Sequence, residues 1–161
     1  MNDCPEQKNI SILSWNVHDI MDQTLGSKTS LDDFCDILKK GMIFCLQETK
    51  AEVQLPQYLC FNQLRPKSRS GGLCIGVHRS ISQKVKKIKS EYDDILAVLI
   101  PTAVTGLNKD VVLINVYDSP SNSSYKIRQI ATGSDIDTID HLLNFVAQLD
   151  NKAVMLAGDF N

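Results

Sequence analysis

Residues 10–17 read ISILSWNV, residues 30–41 read SLDDFCDILKKG, and residues 42–46 read MIFCL. In the first stretch Ile12 and Ser14 alternate with Leu13, Trp15 and Val17, which is the period of a strand. In the second, Leu31, Phe34, Cys35 and Leu38 recur at i, i+3, i+4 and i+7, the stripe of an amphipathic helix. Ser30 stands where an N-cap belongs, with Asp33 three residues on as its capping-box partner. Lys39 and Lys40 suit the negative end of the helix dipole, and Gly41 is the expected stop. The third stretch is wholly apolar, as in a strand buried on both faces. Strand, capped helix and buried strand make a βαβ unit.

Working outward, Leu73–Val77, Ile95–Ile100 and Val111–Val116 are apolar and β-branched, and read as strands. The polar stretch from Gly106 to Asp110 predicts an antiparallel hairpin between the last two. Ser134 and Asp137 form a second capping box, opening a helix with Ile136, Ile139, Leu143 and Val146 on its apolar face. Asp150 and Asn151 end that helix, and Ala153–Ala157 reads as another buried strand. The order β-α-β, then several β, then α-β predicts a mixed α/β sandwich rather than a doubly wound parallel sheet.

The 161 residues suit one domain or a large part of one. With 17 basic and 19 acidic side chains, net charge −2, the chain is no strongly basic coat for nucleic acid. An enzyme that grips nucleic acid through a local patch stays open. No apolar run approaches the roughly 18 residues of a membrane span, and residues 1–9 lack the apolar core of a signal peptide. The five cysteines (Cys4, Cys35, Cys45, Cys60 and Cys74) are odd in number and irregular in spacing, with no Cys-x-x-Cys pair. They argue against a zinc site or a disulfide framework, and point to thiols in a reducing, intracellular compartment.

Four apolar strands end in polar residues: Trp15-Asn16, Gln47-Glu48-Thr49, Val116-Tyr117 and Gly158-Asp159-Phe160-Asn161. Each has an ordinary reading. An Asn or Asp after a strand also makes turns and caps, a Tyr also lines a rim, and a Glu is also simply solvated. Together their chemistry converges. Hard cations such as Mg²⁺ take one or two protein carboxylates and keep several waters, and Glu48 and Asp159 could supply these. The Asn16 and Asn161 amides can hold a phosphate oxygen or a water, and Tyr117 can donate to a charged oxygen. A metal, a base and neutral donors are the parts needed to hydrolyse a phosphodiester.

The blocks ISILSWNV, IFCLQETK, INVY and VMLAGDFN, in that order from Ile10 to Asn161, resemble the signature blocks of the endonuclease/exonuclease/phosphatase superfamily. Ser70-Gly71-Gly72 through Asn115-Val116-Tyr117, followed by Pro-Ser-Asn-Ser-Ser, is most similar to the endonuclease domain of non-LTR retrotransposons, which accompanies a reverse transcriptase. The resemblance implies a four-layer α/β sandwich with mixed sheets flanked by helices. It implies Glu48 as the direct ligand of Mg²⁺ or Mn²⁺, with Asn16 beside it. Tyr117 would contact the scissile phosphate, Asp159 would orient or deprotonate the attacking water, and Asn161 would position phosphate and nucleophile. Where many relatives carry an acidic residue two after the first-block Asn, this chain has His18, followed by Asp19.

The resemblance also implies strands after the Gly-Asp-x-Asn block and a later Ser-Asp-His motif. Residues 1–161 therefore read as the N-terminal portion of such a domain, lacking its C-terminal strands, and the chain as it stands is expected to be inactive. None of His18, His78 or His141 follows Ser-Asp; His78 reads as a strand end and His141 as the polar side of the second helix. Arg65, Lys67 and Arg69, then Lys84, Lys86, Lys87 and Lys89, form basic patches. Lysines on an edge strand also block aggregation. As a functional patch, Arg69, Lys84, Lys86 and Lys87 would contact the phosphate backbone of DNA. The expected activity is thus Mg²⁺-dependent DNA nicking of retrotransposon type, with DNA as partner, no membrane, and a nuclear location possible by resemblance. The rivals are a phosphatase or phospholipid phosphodiesterase of the same superfamily, and a non-catalytic degenerate remnant.

Overall fold

A computed structural model describes residues 9–22, 26–66, 70–132 and 137–161. Cys4, Lys67, Arg69, Ser134 and Ile136, all named above, lie outside the described residues. The elements run β1 (Ile12–Asn16), β2 (Met21–Asp22), β3 (Gly26–Ser27), α1 (Asp32–Leu38), β4 (Ile43–Gln47), β5 (Tyr58–Gln63), β6 (Leu73–His78) and α2 (Arg79–Ser82). They continue with β7 (Lys86–Ile88), β8 (Ile95–Ile100), α3 (Thr102–Thr105), β9 (Val111–Tyr117), α4 (Ser124–Ala131), α5 (Thr138–Val146) and β10 (Ala153–Asp159).

Two four-stranded sheets share one plan. The first has the order β1-β4-β6-β5 and the second β10-β9-β8-β7. In each, the first pair is parallel and the others are antiparallel. The parallel pairs need crossovers, which α1 provides between β1 and β4, and the segment carrying α4 and α5 between β9 and β10. The expected β8–β9 hairpin is present, with Ile100 opposite Val111 and the short helix α3 in its turn.

Alternation along doubly buried strands sorts the core into layers. Ile43 and Cys45 face inward between the sheets with Leu73, Ile75 and Val77, against Leu96, Val98, Ile100, Val111 and Leu113. Phe44 and Leu46 face outward, where Phe34 and Leu38 of α1 cover them. On the far side Ile95, Ala97, Val112, Ile114 and Val116 pack under Leu142 and Phe145 of α5. The result is the helix–sheet–sheet–helix sandwich that the sequence implied. Among the described residues no helix is long and apolar enough to cross a membrane.

Five local readings change. Ser30 does not cap α1: it sits in a 3₁₀ turn (Lys28–Ser30) capped by Ser27, and Leu31 is the N-cap without a side-chain bond. Gly41 is not left-handed; it is needed because a Cβ would come within 2.8 Å of the Ile43 carbonyl oxygen. On α5, Leu142 and Phe145 are buried, while Ile139 and Leu143 are 41% and 62% exposed. Its His141 is no polar-face residue: it stacks on Tyr92 at 4.2 Å, with Nδ1 3.4 Å from Asp94 Oδ2. Finally, β10 is not buried. Among the described residues it pairs with β9 alone, and Val154, Met155 and Leu156 are 39–47% exposed.

Candidate active site

The two parallel pairs end together. In register, Asn16 lies opposite Gln47 and Asp159 opposite Tyr117. Asn16, Tyr117 and Asp159 occupy inward-facing positions of their strands, so they meet in the space between the sheets. Beneath them Gln47 Nε2 donates to Asn115 Oδ1 at 2.7 Å, and Asn115 Nδ2 donates to the Leu46 and Cys74 carbonyls at 2.9 and 3.1 Å. Both side chains are fully buried, so this satisfied polar bridge pins one sheet's end to the other. Sequence reading passed over both residues; two amides at inward positions of apolar strands were the available signal.

Asn16 Nδ2 donates to Glu48 Oε1 at 2.8 Å and to Asp159 Oδ2 at 2.7 Å, while its Oδ1 accepts from the His18 backbone N–H at 2.9 Å. One amide therefore braces two carboxylates. The Tyr117 phenol faces Glu48 closely enough for each to shift the other's pKa, and His18 Nδ1 lies 3.2 Å from Glu48 Oε2. Asp159 Oδ1 accepts from the Asn161 N–H at 3.3 Å, and Asn161 Nδ2 donates to the Asp118 carbonyl at 2.7 Å. The structure thus brings together Asn16, Glu48, Tyr117, Asp159 and Asn161.

Glu48 takes a left-handed backbone, φ 55°, as do His18 at 60° and Lys50 at 56°. Such conformations cost non-glycine residues roughly 1–2 kcal/mol each. The loop holds them by pairing: Thr49 N–H donates to the Gly72 carbonyl and Lys50 N–H to the Gly71 carbonyl. Gly72 must lack a Cβ here, since one would meet Thr49 Oγ1 at 2.8 Å. The Gly71-Gly72 pair therefore supports the Glu48 loop.

The described lysines of the expected DNA patch, Lys84, Lys86 and Lys87, do not join this cluster. Lys86 and Lys87 lie on β7, the edge of the second sheet opposite β10, and Lys84 precedes them. Lys87 Nζ donates to the Asn62 carbonyl at 2.7 Å and to Gln63 Oε1 at 3.0 Å, tying the two sheets at that edge.

Burial raises the Glu48 pKa, but the bonds from Asn16 and Tyr117 and the neighbouring His18 outweigh it, and the net shift is downward. Burial, then the bond to Glu48 and its charge, push the Tyr117 phenol well above its ordinary value, so it stays a donor. A carboxylate whose folded pKa is lowered adds stability above its unfolded value near 4.5, and loses it as pH falls through the folded value. Asn16→Ala is therefore expected to cost about 1–2 kcal/mol at pH 7, two charge-assisted bonds discounted for partial exposure. The deficit should shrink below about pH 4.5. Urea midpoints across pH 3–7 check this; a deficit independent of pH would mean that Asn16 only fills space.

Glu48, ionised and with its side chain 16% exposed, fits one carboxylate ligand of a hard, mostly hydrated cation. Asn16, with its N–H groups turned onto both carboxylates, fits as brace. Among the described residues no group of three or more His, Cys, Asp or Glu is placed to hold a metal.

The family model described as Endonuclease/Exonuclease/phosphatase family matches residues 13–161. The chain belongs to the endonuclease/exonuclease/phosphatase family. No curated protein matches the sequence at a significant level. Among solved structures, the family fold is shared with the endonuclease domain of TRAS1, a telomere-specific non-LTR retrotransposon (TM-score 0.57, 13% identity, 94% of this chain and 58% of that one). It is also shared with the Xenopus laevis APE2 catalytic domain (0.58, 17%, 94% and 58%) and an AP endonuclease from Archaeoglobus fulgidus (0.56, 16%, 94% and 57%). At these identities the likeness is one of fold. The chain spans just under three-fifths of each of those structures.

Proposed function

We propose that this endonuclease/exonuclease/phosphatase-family chain carries the metal- and phosphate-binding half of a site for phosphodiester hydrolysis in DNA. The observation that carries this reading is the pair of carboxylates, Glu48 and Asp159, braced by one Asn16 amide, with the Tyr117 phenol on Glu48. DNA is favoured as substrate because two of the similar structures named above are a retrotransposon endonuclease domain and an AP endonuclease.

Glu48 would hold Mg²⁺ or Mn²⁺, which when bound neutralises phosphate charge and acidifies water. Tyr117, protonated, donates to a phosphate oxygen. Asp159, aligned by Asn16 and the Asn161 N–H, accepts the proton of the attacking water, and the Asn161 amide positions the nucleophile. Arg69, Lys84, Lys86 and Lys87 are proposed as contacts to the DNA phosphate backbone.

Two measurements test this. Mg²⁺ or Mn²⁺ titration followed by Trp15 fluorescence should show weak binding that Glu48→Gln reduces at least about tenfold, as loss of a sole carboxylate ligand requires; equal binding in the variant removes the metal from Glu48. Nicking of supercoiled plasmid in Mg²⁺ is then set beside phosphate release from inositol polyphosphates. Nicking supports the reading. Phosphate release without nicking moves the substrate to the phosphatase branch, and neither activity marks a binding domain without turnover.

A further inference from the structure

Arg65, which the sequence groups with a basic patch, is only 5% exposed. A buried guanidinium ordinarily meets a carboxylate or carbonyl oxygen. Among the described residues, Nε and Nη1 are buried without a hydrogen-bond partner. Two aromatic rings lie against the group. Its Cζ lies 3.8 Å from the ring centroid of Tyr125 and 5.1 Å from that of Tyr117. Gly71 closes the third side: at φ +79° its backbone comes so near that a Cβ would sit 2.7 Å from Cζ.

Three distant segments converge on this cation. Gly71 belongs to the loop that accepts the Lys50 N–H and supports Glu48. Tyr117 ends β9 and faces Glu48. Tyr125 belongs to α4, whose Ile127 and Ile130 are 56% and 60% exposed, so the helix is held by something other than those apolar residues. Lys126, next to Tyr125, pairs with Asp118 at 2.7 Å, one residue past Tyr117. A planar guanidinium can stack where an ammonium cannot; its charge acts on the two ring faces and also reaches the Asp93 carboxylate.

We propose that Arg65 is the positioning residue of Tyr117: clamped between the Tyr117 and Tyr125 rings and walled by Gly71, it holds the phenol in the orientation that reaches Glu48. The proposal deepens the functional reading above, in which Tyr117 is a phosphate donor. Its positive charge also opposes the upward push of burial on both phenols.

The test uses the full chain labelled with ¹³Cζ- and ring-¹³C-tyrosine, the Tyr117 signals being assigned with Tyr117→Phe. Arg65→Met keeps the length of the side chain and removes the cation. The expected result is a displaced Tyr117 Cζ resonance and a ring-flip rate at least tenfold faster, while Tyr58 and Tyr92 keep their wild-type resonances. Arg65→Lys should restore the flip rate only in part. Unchanged Tyr117 signals in a folded Arg65→Met overturn the proposal. Should Arg65→Met fail to fold, Tyr125→Leu removes one jaw from the surface side and is expected to release Tyr117 in the same way; unchanged signals there overturn it equally. Inorganic phosphate is titrated into each variant. If it never shifts Tyr117 although Arg65→Met frees the ring, the clamp stands and the phosphate-donor role falls.

Discussion

Replacing Gly158 by alanine is expected to cost more than about 3 kcal/mol of stability, an overpacking penalty that no side-chain rearrangement can relieve. Gly158 has φ 149°, and a Cβ there would lie 2.1 Å from the Val116 carbonyl oxygen and 2.9 Å from Val116 C and N. All three are backbone atoms of β9, the strand that pairs with Gly158 in register. Relief requires β10 to move away from β9, and that carries Asp159, the next residue, off Asn16. With a urea slope of about 2 kcal/mol/M, the unfolding midpoint should fall by about 1.5 M. Gly106→Ala is the matched control. Gly106 is also left-handed, φ 70°, but a Cβ there meets nothing within 4 Å, so its cost should be about 1 kcal/mol of backbone strain. Equal costs at the two glycines would show that the approach of β10 to β9 is not tight.

The second large effect is chemical. On the proposed function, and wherever hydrolysis by the wild-type chain is measurable, Asp159→Asn is expected to lower it by about 10²- to 10⁴-fold, the ordinary contribution of a positioned base. The substitution preserves shape but replaces one acceptor oxygen by an amide donor. Both Asp159 oxygens face donors, Oδ2 the Asn16 amide and Oδ1 the Asn161 N–H, so either orientation of the new amide sets donor against donor. Stability should change by no more than about 1–2 kcal/mol, since the cluster is partly exposed. The rate of plasmid nicking, or of hydrolysis of an activated phosphodiester, reads the first effect, and urea unfolding the second. A wild-type rate in Asp159→Asn would remove Asp159 from the reaction.

Several elements were legible because their chemistry admits one environment. Ile43–Leu46 and Val111–Ile114 are apolar at every position, and both faces are covered. Others were not. Tyr58–Gln63 has no β-branched residue and follows Pro56, so nothing local marked β5. Ser124–Ala131 exposes its isoleucines, and its attachment through Tyr125 and Lys126 depends on Arg65 and Asp118 from elsewhere in the chain. On α5 the residues Ile139, Leu142, Leu143, Phe145 and Val146 spread around the helix, so periodicity could not choose the docking face. The sheet chose Leu142 and Phe145.

The sequence by itself determined the central strands, the helix α1 that crosses between β1 and β4, and the polar residues at four strand ends, because alternation and turn chemistry act over a few residues. Only the tertiary structure decided that Ala153–Ala157 is an exposed edge, since burial depends on which strands lie alongside. Likewise, only packing could decide that Arg65 leaves the solvent for two tyrosine rings. The site itself belongs to both levels. Asn16 and Asp159 were each visible at a strand end, but they stand 143 residues apart in the chain. Their meeting at one amide follows from two parallel strand pairs packed face to face, so that their C-terminal ends share the space between the sheets.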